Sequence, residues 1–327
     1  MGPDMTRRAL QPLDITLRHG RRYQMIRKLF LGFSVALTFG LPLWHLHALD
    51  VEGAGIAADS RWAHLAARLP DSPPPFYGAP TSVWVGVLEL VDPLESLAVA
   101  LFHGLSWNWV WTVLPGVVLV VLLGRFFCGW ACPYLPVLAA ANAARWVLTR
   151  LGVPLKDVQV PRSTSRVVMV GALVVGALAG TQLVPLIYPP AIIGREVFRA
   201  VFYGSLGAGA LVVAGAFLFD TFVSRAGFCR SLCPGGAMFS VLANLSPIRV
   251  HNDRSKCTDC TACDVVCNLG QSPMTNTLDS GCERCGKCIA SCPTQALSWT
   301  LAAPPLVQLV TLRVEGVEAK TAEAKSQ

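Results

Sequence analysis

A chain of 327 residues, 53% apolar and only 14% charged, with a mean hydropathy of +0.49, is too apolar for an ordinary soluble domain and long enough for two structural units. Its net charge of +7 does not require a nucleic acid. The lysines and arginines flank the apolar runs, where membrane topology accounts for them, and no basic array of nucleic-acid character is left over. Nucleic acid is excluded as a partner, and the lipid bilayer is the expected solvent.

In chain order, residues 1–28 form a charged lead with Arg7, Arg8, Arg18, Arg21, Arg22, Arg27 and Lys28. It is too long for the head of a signal peptide, which makes the following apolar run an uncleaved anchor. Charge-free runs occupy 29–49, 96–124, 167–194 and 200–219, and each reaches the roughly 20 residues that a helix needs to cross hydrocarbon. The predicted membrane domain, 29–249, therefore has four transmembrane helices. Basic residues gather before the first run and between the second and third (Arg125, Arg145, Arg150, Lys156, Arg162, Arg166), whereas 50–95 is mostly acidic. By the positive-inside rule both termini face the cytoplasm, in a multi-pass protein of the bacterial inner membrane. Leu135 to Leu151 reads as an amphipathic helix along the inner surface, with Arg145 and Arg150 on its wet side.

All twelve cysteines fall into four groups. Cys257, Cys260, Cys263 and Cys267 are spaced x2, x2, x3, and Cys282, Cys285, Cys288 and Cys292 repeat that spacing before Pro293. This is the bacterial ferredoxin run, in which three thiolates hold one cube and the fourth reaches the neighbouring one. Two [4Fe-4S] clusters are predicted, one on Cys257, Cys260, Cys263 and Cys292, the other on Cys282, Cys285, Cys288 and Cys267. Asn268 stands where a proline is expected after Cys267, so the loop after the first run should be remodelled with its ligands intact. A C-terminal α+β ferredoxin-like domain, 250–300, follows, and 301–327 reads as a flexible tail.

The other four thiols form a second repeat. Cys128 and Cys132, in Arg-Phe-Phe-Cys-Gly-Trp-Ala-Cys-Pro, end the second run; Cys229 and Cys233, in Gly-Phe-Cys-Arg-Ser-Leu-Cys-Pro-Gly, follow the fourth. Helical spacing would put each pair on one face, and the proline would end the turn. Both pairs should emerge on the same side as the ferredoxin domain. Metal binding, a redox-active dithiol, a lining for the electron route and plain packing all remain open for them.

Two Cys-x3-Cys-Pro motifs after the second and fourth runs, then two ferredoxin runs, in that order and from about Arg21 to Thr300, resemble the NapH/MauN-type ferredoxin family. Asp92-Pro93-Leu94 and Phe219-Asp220 belong to the same resemblance. It implies an electron-transfer component of a quinol dehydrogenase rather than a complete enzyme. Electrons from membrane quinol would pass through the clusters to a partner protein, a ferredoxin-type subunit or a cytochrome, in a respiratory or dehydrogenase system. Related proteins with the same core suggest an alternative, a copper-reducing or redox-sensing accessory protein. A quinol site needs an apolar slot and proton acceptors. Glu89, Asp92 and Glu95, spaced by threes on the outer side, are the candidates, predicted to share one helical stripe. Asp220 is expected to pair with Arg225.

Overall fold

The structure, a computed structural model, describes residues 21–48, 76–79, 81–85, 88–103, 107–155, 157–158, 160–275 and 281–301. The expected N-terminal lead before residue 21 and the tail after 301 lie outside the described residues. The first helix, α1 (Arg21–Ala48), has a core from Arg22 to Leu43 that is the one stretch among the described residues long and apolar enough to cross a membrane. A three-stranded antiparallel meander follows: β1 (Phe76–Ala79), β2 (Ser82–Val85) and β3 (Leu88–Val91).

Helix α2 (Pro93–His103) starts directly after β3. The Asp92 carboxylate accepts the backbone N–H groups of Leu94 at 2.8 Å and Glu95 at 3.4 Å, and Pro93 pre-sets the first turn. Asp-Pro is thus a helix start, and the β-branched and aromatic residues before it pair as strands. This corrects the expectation of one helical stripe of acids. Glu89 lies on β3, opposite Trp84, while Asp92 and Glu95 sit at the mouth of α2.

The long uncharged runs are also broken where helix-stopping residues fall inside them. The run 96–124 divides into α2 and α3 (Trp107–Leu123). The run 167–194 contains α6 (Ser163–Ala179), closed by Gly180 at φ 65°, then the short α7 (Val184–Ile187) and the beginning of α8 (Pro189–Tyr203), which Gly204 closes at φ 64°. Charge counting measures apolar length but cannot see these left-handed glycine stops. Besides α1, the predicted runs contain shorter apolar helices at Val110–Leu123, Ser163–Ala179 and Gly209–Val223. The last is α9 (Gly209–Leu218) continued by a π-turn, Phe219–Val223.

The helical unit is an internal repeat. In its first half α3 leads through α4 (Phe126–Trp130) to α5 (Leu135–Arg150); in its second, α9 leads through a π-turn at Phe228–Leu232 to α10 (Pro234–Ala243). The halves pack crosswise, α10 against α3 and α5 against the end of α9 and its π-turn. The helix following each cysteine motif therefore lies on the apolar helix preceding the other. Leu135, Leu138 and Ala141, spaced as one helical face, are the buried side of α5, and Arg150 is exposed as expected; Arg145, expected on the wet side, is instead largely buried and donates to the Thr221 carbonyl at 3.1 Å.

The ferredoxin unit has one antiparallel pair, β4 (Ile248–Asn252) with β5 (Leu297–Leu301), and two short helices, α11 (Ala262–Val266) and α12 (Lys287–Ser291). It is docked at the N-terminal end of α1: the Tyr23 hydroxyl donates to the Arg284 carbonyl at 3.1 Å and the Gln24 amide to the Cys285 carbonyl at 2.9 Å. Leu269 joins the buried cluster of Tyr134, Leu135, Leu138, Ala216 and Ala226, so the apolar core continues from the helices into the ferredoxin loops.

Candidate functional site

The two ferredoxin runs have the same backbone. Asp259 and Arg284, two residues after the first cysteine of each run, stand at φ 51°; Thr261 and Gly286, two further on, at φ 60° and 66°. Three residues past the last cysteine of each run, Gly270 and Gln295 stand at φ 58° and 54°. Left-handed residues at these offsets curl the chain so that successive thiols and amides turn inward. The last pair corrects the expectation of a remodelled loop. Gly270 supplies the turn without the proline, and the Gln271 N–H donates to Cys267 Sγ at 3.3 Å as the Ala296 N–H donates to Cys292 Sγ at 3.2 Å.

Cys257, Cys260, Cys263 and Cys292 line one cavity of about 310 Å³. Cys288 is grouped with Cys285, Cys282 and Cys267. The spacing predicted the same two groups as ligand sets, and their ligation of two clusters is proposed below. Four thiols around a shared space, with backbone amides pointed at sulfur, are a donor set suited to a [4Fe-4S] cube and its anionic charge. Burial pushes two of these thiols up, Cys263 to about 12 and Cys267 to about 11, so each would release a proton on taking iron.

The Cys-x3-Cys-Pro motifs also meet. Cys128, Cys132, Cys229 and Cys233 line a second cavity, of about 450 Å³, together with Arg125 and Tyr188. The spacing is realised by a wider turn than an α-helical one. The Cys132 N–H donates to the Phe127 carbonyl at 2.9 Å and the Cys233 N–H to the Phe228 carbonyl at 2.8 Å, the same five-residue return in both copies. In the second motif Pro234 opens α10, and the Gly236 N–H at its start donates to Cys233 Sγ at 3.4 Å; in the first, α5 begins at Leu135, two residues after Pro133.

Arg125, entered above only as a topological charge, is 4% exposed and belongs to this site. Its Nη1 donates to Ser240 Oγ at 3.1 Å and the Gly281 carbonyl at 3.2 Å, its guanidinium also interacts with Cys128, and its Nε is buried without a hydrogen-bond partner. Its position three residues before Cys128 is the signal the sequence offered. Tyr188 gave none. Its hydroxyl donates to the Asp92 carboxylate at 2.7 Å while its ring borders the thiol cavity and packs on Gly235. Asp92 is therefore beside the thiols and not on an opposite face, a second correction to the acid assignment. Of the three acids, Asp92 adjoins this centre, Glu95 stands one turn on, and Glu89 is apart on β3.

Asp220 is also differently partnered. It accepts the Tyr134 hydroxyl at 3.0 Å and the Phe228 N–H at 2.8 Å, whereas Arg225 donates to the Val265 carbonyl at 2.9 Å. The expected Asp220–Arg225 pair gives way because Tyr134, just past the first motif, reaches the acid in the crosswise packing.

The thiol cavity touches the second ferredoxin loop. Glu283 is in its lining, the Trp130 indole N–H donates to the Arg284 carbonyl at 3.2 Å, and a β-carbon on Gly129 would meet the Glu283 carbonyl at 2.5 Å. Gly129 is there because the backbones touch.

A family model described as a 4Fe-4S binding domain matches the chain twice, over 105–154 and 206–251. Each match contains one Cys-x3-Cys-Pro motif with its flanking helices, and neither reaches the ferredoxin runs. The ferredoxin-type protein NapH of Escherichia coli K12 is 30% identical over 235 residues, covering 67% of this chain and 78% of that protein. NapH of Haemophilus influenzae is 29% identical over 237 residues, with the same coverage of 67% and 78%. The methylamine utilization ferredoxin-type protein MauN of Methylorubrum extorquens is 33% identical over 189 residues, 56% of this chain and 62% of that protein. No solved structure matches. Fold, thiol sets and relatives together define an iron–sulfur electron-transfer protein of ferredoxin type. Within that class the chain belongs to the NapH/MauN-type ferredoxin family.

Proposed function

We propose that the protein is the membrane component of a quinol dehydrogenase, taking electrons from membrane quinol and passing them through two [4Fe-4S] clusters to a partner electron-transfer protein. The observation that carries this reading is the docking of the second ferredoxin loop, through Glu283 and Arg284, onto the first Cys-x3-Cys-Pro turn at Gly129 and Trp130. Electrons released at the helices thereby meet a ferredoxin loop in direct contact. The clusters, when bound, supply one-electron carriers on Cys257, Cys260, Cys263 and Cys292 and on Cys282, Cys285, Cys288 and Cys267.

Four apolar helices, α1, α3, α6 and α9, are the proposed membrane spans. The three shorter ones suit a locally thinned bilayer or snorkelling flanks. Arg21, Arg22, Arg27 and Lys28 at the ferredoxin end of α1 support a cytoplasmic position for that end and for both termini. Oxidising a quinol also releases two protons. Asp92, held by Tyr188 next to the thiol cavity, is the preferred acceptor on position, and Glu95 at the same helix mouth is the second.

The test uses the full chain in detergent under anaerobic conditions, with a reduced quinol analogue as the only donor. Cluster EPR signals should appear as the analogue is oxidised, and Asp92→Asn should slow their appearance. Unchanged cluster spectra with the analogue in excess would refute the reading.

A further inference from the structure

We propose that Cys128, Cys132, Cys229 and Cys233 together hold a third iron–sulfur cluster, a [4Fe-4S] centre at the junction of the two helical repeats. The idea stands on its own geometry and does not need quinol as the donor.

The four thiols come from two distant parts of the chain yet line one cavity of about 450 Å³. They are free thiols, so no disulfide occupies the space. Among the described residues no three His, Cys, Asp or Glu side chains gather closely enough to hold a single metal ion. That holds equally for the eight ferredoxin cysteines. In a cube each thiolate binds a different iron, so its four ligands stand apart around a volume, as both sets do here. A mononuclear copper or zinc site would instead bring the sulfurs onto one point.

The environment fits the charge of such a centre. Four thiolates around an iron–sulfide core leave it anionic, and Arg125 brings a buried guanidinium to it, with Nε unsatisfied and a neighbouring nitrogen 3.0 Å from where a β-carbon on Gly236 would lie. The Gly236 amide donates to Cys233 Sγ, the kind of contact seen at Cys267 and Cys292 in the ferredoxin loops. Phe127, Tyr188 and Phe239 supply apolar walls to the space. Each motif is built on the same wide turn, so each repeat contributes two ligands in equivalent positions. Finally, the two segments that match a 4Fe-4S binding domain are the ones carrying these cysteines. On assembly each thiol gives its proton to solvent and its sulfur to one iron.

The test is a count of iron and acid-labile sulfide in the full chain, purified anaerobically in detergent and reconstituted with iron and sulfide. About 12 iron atoms per chain are expected, and about 8 in Cys128→Ser/Cys233→Ser with the ferredoxin EPR signals kept. A variant with Cys257, Cys260, Cys282 and Cys285 all changed to serine should keep about four. Failure of the two-cluster ferredoxin reading appears as a smaller iron loss in that quadruple variant. Failure of the present proposal appears as no iron loss in the double variant, or as an iron-free quadruple variant. Should the serine variants not fold, native mass spectrometry of the unaltered chain decides, and about 8 iron atoms overturns the proposal.

Discussion

Gly129 is the position where a single methyl group should separate the helical unit from the ferredoxin loop. An alanine β-carbon there would lie 2.5 Å from the Glu283 carbonyl oxygen and 3.3 Å from the Glu283 β-carbon. The first of these is backbone, so no rotamer change relieves it, and the loop must retreat by roughly 1 Å to restore ordinary contact. Overpacking of this kind costs about 1–3 kcal/mol. The retreat also stretches the hydrogen bond from the Trp130 indole to the Arg284 carbonyl and displaces the Gly129 carbonyl from Arg27 Nε, now at 2.8 Å. If the cost falls on docking, the docked population drops relative to the undocked one by about 5- to 150-fold, at tenfold per 1.4 kcal/mol. Hydrogen exchange by mass spectrometry reads this directly: amides of 281–288 should exchange faster in Gly129→Ala. Electron delivery to the second ferredoxin cluster should slow in parallel. Gly171→Ala is the control, since nothing lies within 4 Å of its β-carbon and α6 gains up to about 1 kcal/mol of helix propensity. Equal exchange in Gly129→Ala and the unaltered chain would show that the contact does not hold the units together.

Four further outcomes follow from the same geometry. Cys292→Ser should damage the cluster of the first run and Cys267→Ser that of the second; EPR of each variant that showed damage to the cluster of its own run instead would remove the crossed ligation. Tyr188→Phe leaves Asp92 with backbone donors only and should cost about 1–3 kcal/mol, measured as thermal stability in detergent. Burial raises the thiols at Cys263 to about 12 and Cys267 to about 11, so their protons are still bound at neutral pH and must leave on iron uptake. Cluster retention against a chelator should therefore rise with pH and fall in acid; a flat profile between pH 6 and about 9 would contradict that proton count. Arg125→Gln removes a cation beside the thiol quartet and should lower the potential of a cluster there by about 60–130 mV, the equivalent of 1.5–3 kcal/mol for one electron, in a redox titration.

Tyr188 and Tyr134 show how the repeat is built. Tyr188 precedes α8 and reaches back to Asp92 before α2, while Tyr134 precedes α5 and reaches forward to Asp220 at the end of α9. The Tyr134 hydroxyl crosses from the first half to the second, and the Tyr188 hydroxyl ties the segment before the second half to the segment before the first. The thiol quartet is thus framed by contacts that exist only once the halves have packed, which makes correct packing a condition for the site rather than a consequence of it.

The cysteine spacings pointed to iron–sulfur chemistry before any fold was known. A run of x2, x2, x3 closes locally, so Cys257 to Cys267 and Cys282 to Cys292 were readable as cluster loops from the residues themselves. The apolar composition announced helices, though among the described residues only α1 is long and apolar enough to cross a membrane. What the sequence did not carry was where helices stop inside uncharged runs, because Gly180 and Gly204 act through a left-handed φ and hydropathy averages over them. Nor did it carry the placement of acids and cations. Asp92 and Glu89 are three residues apart, yet one starts a helix and borders the thiols while the other lies on a strand, and Arg125 is a topological charge until burial sets it against Cys128. Local spacing fixes which atoms can bind iron; only the crosswise packing of two repeats decides that Cys128, Cys132, Cys229 and Cys233, about a hundred residues apart in two pairs, share one cavity.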